Sequence, residues 1–222
     1  MGLTESKGNM YSWVTHTWNT VKGECPHGCT YCYMKRWDKQ KPVRFDEKEL
    51  NTDLGSGNFI FIGSSCDLFA EGIPRVWITD TLVKADFYTG NKYLFQSKNP
   101  ERFTEFKNYL PDGKRTCLCT TIETNRFYPE MGIAPHTISR AIGMNQYFEY
   151  PTFVTIEPIM DFDLDDMVRL IKMCHPNQVN IGADSGNNHL QEPSKEKILS
   201  LILELQKFTI IDKKNNLSRL LI

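Results

Sequence analysis

Apolar residues recur along the chain in two alternating rhythms. Short runs at residues 58–63, 92–96, 116–122, 152–156 and 178–183 are nearly continuous in apolar and β-branched residues and stop at small or polar ones, as in strands buried on both faces. Between them, residues 74–87, 100–109, 135–142, 164–174 and 194–206 place apolar residues at helical spacing, for example Val76, Trp77, Leu82, Val83 and Phe87. The last of these opens with Ser194 after a proline, a helix N-cap signal. An earlier segment, residues 11–21, is rich in Thr, Trp and Val and predicts a first strand, with a short helix over 31–38. Six strand–helix units imply a parallel sheet covered by helices, either a barrel or a doubly wound sheet. Six in this length suit an α/β fold of the open, partial (β/α)6 TIM-like barrel type with parallel strands.

At 222 residues one domain over 1–222 is expected, with a short polar N-terminal segment and a tail after about residue 207. That tail carries Lys213, Lys214 and Arg219 and suggests no role of its own. The formal net charge is −1, from 26 basic and 27 acidic residues, so no global field draws the chain to nucleic acid or an anionic membrane. Residues 35–44 are a local exception: Lys35, Arg36, Lys39, Lys41 and Arg44 surround Trp37, either as a solvated helix face or as a phosphate grip with a stacking ring. No apolar run reaches the roughly 20 residues of a membrane helix, and the first nine residues are mostly polar, so a cytoplasmic protein is expected.

Seven cysteines change the picture most. Cys25, Cys29 and Cys32 fall within eight positions, which suits a metal or cluster site in a reducing compartment better than disulfides. Cys66, Cys117, Cys119 and Cys174 are scattered and read as small buried hydrophobes, too few for an auxiliary cluster. Three thiolates in one loop leave three readings open: zinc with a fourth ligand such as His27 or a distant group, an iron–sulfur cluster with one iron free, or unligated thiols.

The C-x3-C-x2-C spacing with Tyr31 before the last cysteine resembles the signature of the radical S-adenosylmethionine (SAM) superfamily. More narrowly, several segments together resemble, in colinear order over about residues 11–190, an uncharacterised phage-associated three-Cys-motif family. These are Trp18-Asn19, Ile60 to Ser64 with Asp67 to Phe69, Ser97 to Arg102, Thr121 to Glu123, Ile156 to Pro158 and Gly182 to Gly186. That family is a distant relative of spore photoproduct lyase. The compact spacing before Cys29 departs from its common members, which carry a longer insertion there.

The resemblance implies a 4Fe-4S cluster on Cys25, Cys29 and Cys32 whose open iron chelates SAM. It also implies reductive cleavage to a 5'-deoxyadenosyl radical that abstracts hydrogen from a substrate, and a reductant or flavodoxin-type electron donor as partner. The substrate class implied is a nucleic-acid base or nucleotide, in the host cytoplasm if phage-encoded. Ligands in such folds lie beyond the carboxyl ends of the strands. There Ser64 and Ser65 are expected to meet the SAM amino group with support from Asp67, or else to form a turn and cap. Ser97 and Lys98 come next, the lysine steadying a carboxylate or solvated. Glu123 either holds SAM hydroxyl or amino groups or forms a structural ion pair.

Pro158 places Glu157 at the barrel mouth. Asp184 and Ser185, between Gly182 and Gly186, are expected near adenine or substrate, and Tyr31 against adenine or simply excluding water. Cys66 is the candidate hydrogen donor to a product radical, as a cysteine is in the lyase relative. The rival functions are a structural zinc-binding interaction protein, a SAM-binding protein without turnover, and a radical SAM enzyme acting on a peptide or small molecule.

Overall fold

The computed structural model describes residues 2–36 and 40–222. Among the described residues ten strands are formed: β1 (Thr4–Glu5), β2 (His16–Trp18), β3 (Val21–Lys22), β4 (Arg44–Phe45), β5 (Phe59–Ile62), β6 (Lys92–Ser97), β7 (Thr116–Thr121), β8 (Thr152–Ile156), β9 (Gln178–Ile181) and β10 (Ile210–Lys213). Among the same residues four α-helices accompany them: α1 (Arg75–Phe87), α2 (Thr137–Met144), α3 (Leu164–Met173) and α4 (Lys195–Leu205). The main sheet runs β1-β2-β5-β6-β7-β8-β9-β10, and its neighbours are parallel throughout except β1 on β2. Its two ends do not pair, so the sheet is an open arc, a partial TIM-like barrel. β3 and β4 form a separate antiparallel ribbon.

Side-chain alternation divides each strand between two apolar layers. Ile60, Ile62, Phe95, Leu118, Val154 and Val179 pack with helix residues such as Ile78, Leu82, Ile171 and Leu201. The alternate positions Phe61, Leu94, Cys117 and Cys119 face the other way and pack on Tyr11 and Val14. Trp13 completes this inner layer, with its ring 4.8 Å from Phe59 and 5.2 Å from Phe153. The segment predicted as one strand over 11–21 is thus divided. Its aromatic start plugs the barrel interior, and only His16–Trp18 joins the sheet, beside β5.

Three other expectations change. Within the helix predicted over 31–38, residues Tyr33–Arg36 form one 3-10 turn, while Trp37, Asp38 and Lys39 lie outside the described residues. The helix predicted over 100–109 is a 3-10 segment, Pro100–Phe106, whose three-residue period puts both Phe103 and Phe106 against Phe69. The tail after residue 207 supplies β10, the strand beside β9, and then a 3-10 segment, Asn215–Leu220, with Leu217 buried in the core. At α4, Ser194 is the N-cap and accepts from the Lys197 amide at 3.3 Å. The four scattered cysteines are all buried. No helix among the described residues is long and apolar enough to cross a membrane.

Candidate active site

Above the aromatic plug, on the same inner face, the carboxyl ends of the parallel strands open into a cavity of about 660 Å3. Inner-facing Phe61, Gln96, Thr121 and Thr155 line it from the strands. The cysteine loop roofs it, and Cys25, Cys29 and Cys32 all contribute to its wall. Tyr11 sets the floor by hydrogen bonds to Gln96 Oε1 at 2.8 Å and Thr155 Oγ1 at 2.7 Å.

Two contacts hold the cysteine loop in place. From below, Asp67 binds His27 Nε2 at 2.7 Å and accepts from Ser97 Oγ at 3.0 Å, the Lys98 amide at 2.8 Å and the Phe69 amide at 2.9 Å. Burial of Asp67 opposes ionisation, but His27 and these donors hold its carboxyl below the ordinary carboxylate range. Gly63, at φ +83°, makes the turn that delivers Asp67, and a Cβ there would crowd Leu68. From the side, residues 128–133 brace the loop: Ile133 N donates to His27 O at 2.9 Å, Thr30 N to Glu130 O at 2.9 Å, and Cys29 Sγ to Met131 O at 3.2 Å. Gly132, at φ +69°, allows that approach, since a Cβ on it would stand 2.1 Å from His27 O.

The three thiols differ electrically. A hydrogen bond from Cys66 lowers Cys25 to about 6 against the opposing effect of burial, and that same bond makes Cys66 the member that keeps its proton. Burial pushes Cys32 up. Cys29 accepts from Lys98 Nζ at 3.2 Å. Lys98 also pairs with Glu123 at 2.7 Å and donates to the Tyr31 hydroxyl at 2.7 Å, which in turn donates to Glu123 at 2.5 Å.

Glu123 corrects one expectation. It is fully buried, does not line the cavity, and spends its oxygens on Lys98, Tyr31 and Arg140, the last at 2.8 Å. Of the two roles considered for it, the ion pair is the one formed here. Burial opposes its ionisation, yet Arg140 and Lys98 hold it at about 2.

Ser64 and Ser65 line the cavity and are both tied to Asn19, the Ser64 hydroxyl at 3.1 Å and the Ser65 amide at 3.0 Å. Glu157 lines it too, accepting from Asn9 at 2.7 Å, Asn216 at 3.0 Å and Lys214 at 2.5 Å. Asp184 reaches the rim, but its carboxylate caps its own loop through Gly186 N at 2.9 Å and Asn188 N at 2.6 Å. Ser185 accepts from Asn216 at 2.9 Å, and Arg36 donates to its carbonyl.

No family model and no curated protein matches this sequence. Solved structures do match. The fold is shared with spore photoproduct lyase. A cysteine-to-serine variant of that lyase superposes with a TM-score of 0.65 at 10% identity, over 94% of this chain and 79% of the lyase chain. A doubly substituted variant with bound AdoMet and dinucleoside spore photoproduct gives 0.58 at 10% identity, over 90% of this chain and 64% of that one. A further form complexed with dinucleoside spore photoproduct gives 0.58 at 11%, over 92% and 65%.

On this spore photoproduct lyase fold the structure gathers Cys25, Cys29, Cys32, Tyr31, Ser64, Ser65, Cys66, Asp67, Ser97, Lys98, Glu157, Asp184 and Ser185 around one cavity. Among the described residues no three His, Cys, Asp or Glu side chains stand together as a formed metal-binding group. The donors nonetheless fit a group bound by three thiolates. All three thiols face one cavity, a cation meets one of them, and His27, the nearby alternative ligand, is engaged by Asp67. Arg140, Asn9, Lys214 and Asn216 were missed by sequence reasoning. Arg140 lies on a helix and the others near the chain ends, and only tertiary packing brings them to Glu123 and Glu157.

Proposed function

We propose that the protein is a radical SAM enzyme whose cluster is held by Cys25, Cys29 and Cys32. The observation that carries this is the convergence of three thiols on one cavity at the carboxyl ends of the strands, in a fold shared with a lyase solved with bound AdoMet. Bound together, cluster and SAM would supply reductive cleavage to a 5'-deoxyadenosyl radical for hydrogen abstraction. Around them this chain's own groups orient and exclude. Ser64 and Ser65 offer polar atoms fixed by Asn19 for the SAM amino group, and Glu157, Asp184 and Ser185 a polar rim for ribose, adenine or substrate. Tyr31 and the aromatic plug beneath keep water from the interior.

The substrate class we infer is a nucleic-acid base or nucleotide, supported by the dinucleoside bound in the fold neighbours and by a basic rim. Lys35 and Arg36 line the main cavity, and Lys41 and Arg44 an adjoining one of about 330 Å3. Trp37 and Lys39 of the same basic stretch lie outside the described residues. Binding to oligonucleotides that weakens steeply with salt supports this class, and its absence redirects it to small molecules or peptides. A flavodoxin-type protein would deliver the electron.

The deciding experiment is anaerobic reconstitution with iron and sulfide, then dithionite and SAM, with 5'-deoxyadenosine measured against a Cys29→Ala control. Formation in the wild type and loss in the control supports the reading. A colourless protein holding one zinc per chain overturns it.

A further inference from the structure

The wall behind Cys29 carries a buried cluster of charges. Arg140, on α2, is fully buried, and donates to Pro135 O at 2.6 Å, Thr121 O at 2.9 Å and Glu123 Oε2 at 2.8 Å. Its second terminal nitrogen, Nη2, has no hydrogen-bond partner among the described residues. Glu123 in turn meets Lys98 Nζ at 2.7 Å, and Lys98 reaches Cys29 Sγ at 3.2 Å. Buried charges normally pair off, because each unpaired ion costs several kcal/mol of lost hydration, of order 20 kcal/mol in the idealised limit. Here two cations enclose one carboxylate and leave one positive charge unbalanced. The group this charge faces is the Cys29 sulfur, a cluster ligand on the reading above, 3.2 Å from Lys98 Nζ. A lysine on its flexible four-carbon stem holds one position only when anchored, and the anchor here is a carboxylate held by one arginine nitrogen, Nη1, whose guanidinium is itself fixed on the Pro135 and Thr121 carbonyls.

We propose that Arg140 and Glu123 are positioning residues that hold the Lys98 ammonium against the Cys29 sulfur, so that the triad's unbalanced positive charge faces one ligand of the proposed cluster. This rests on the cluster reading above, and a cation at a ligand thiolate raises the potential at which the cluster accepts an electron.

Two variants test it: Lys98→Met, and the paired Glu123→Met with Arg140→Met. The pair removes one charge of each sign and leaves apolar volume in place, a replacement buried ion pairs commonly tolerate. In a redox titration followed by electron paramagnetic resonance, Lys98→Met is expected to make one-electron reduction at least tenfold less favourable, about 59 mV. The paired variant is expected to shift the same way although local net charge is unchanged. In the protein without cluster, lysine 15N NMR should show a slowly exchanging ammonium signal that is assigned to Lys98 by its absence in Lys98→Met, distinct from that of Lys214 on Glu157, and lost in the paired variant. A wild-type potential in either variant, or survival of the Lys98 signal in the pair, overturns the proposal. Should the pair fail to fold, Arg140→Lys takes its place, with faster ammonium exchange expected and unchanged exchange overturning it. A wild type that takes up no cluster defeats the function reading alone, and the ammonium signal then decides the anchoring.

Discussion

At the scale of single residues, ionisation behind Cys29 has a measurable consequence. Glu123 is depressed to about 2 by Arg140 and Lys98, against an ordinary carboxylate value of about 4.3. A group depressed by folding stabilises above its unfolded value and loses that contribution as pH falls through the folded one. The stability of the wild type is therefore expected to drop between about pH 4.5 and pH 2, with Asp67 contributing in the same direction. Glu123→Gln should flatten that limb in urea melts at stepped pH, and an unchanged slope would place the acid transition elsewhere. Cys66 carries a second prediction. Its S–H lies against Cys25 in the cavity wall, so Cys66→Ala should leave SAM cleavage intact and alter the partition of products. Identical products would remove it as a hydrogen donor.

At the scale of elements, the cysteine loop owes its shape to neighbours far away in sequence. Gly132→Ala would force a Cβ toward His27 O at a backbone angle that L side chains rarely adopt. A loss of about 1–3 kcal/mol is expected in chemical denaturation, with less iron retained per chain after reconstitution. A variant as stable as the wild type would show that the brace is dispensable. Element types were legible from sequence where apolar period and capping agreed: α4 begins at its Ser194 cap and α1 fills its expected span. They were not legible at residues 11–15, where aromatic residues that fit a strand by composition serve instead as the barrel's plug. Propensity records how a residue suits a half-buried surface, and a plug and a strand offer the same one.

At the scale of the whole molecule, the chain's two ends meet on Glu157: Asn9 from the start, Lys214 and Asn216 from the finish. Removing residues 208–222 would strip β10 from β9, take Leu217 out of the core and leave Glu157 without its cation. A fall in melting temperature, together with weaker SAM binding by calorimetry, is expected. A truncated protein that binds SAM with wild-type affinity would show that this end plays no part in the site.

The sequence by itself determined the parallel strand–helix architecture and the strand ends that carry polar groups, because apolar period and turn chemistry are local properties. It also determined the three-thiol loop, because ligand spacing is local too. Only the tertiary structure decided that Glu123 turns inward to Arg140 while Glu157 faces the cavity. Both follow an apolar run and look alike in sequence. What separates them is which cation, from α2 or from beyond β10, the folded chain brings within hydrogen-bonding distance, and that depends on contacts between residues remote in sequence.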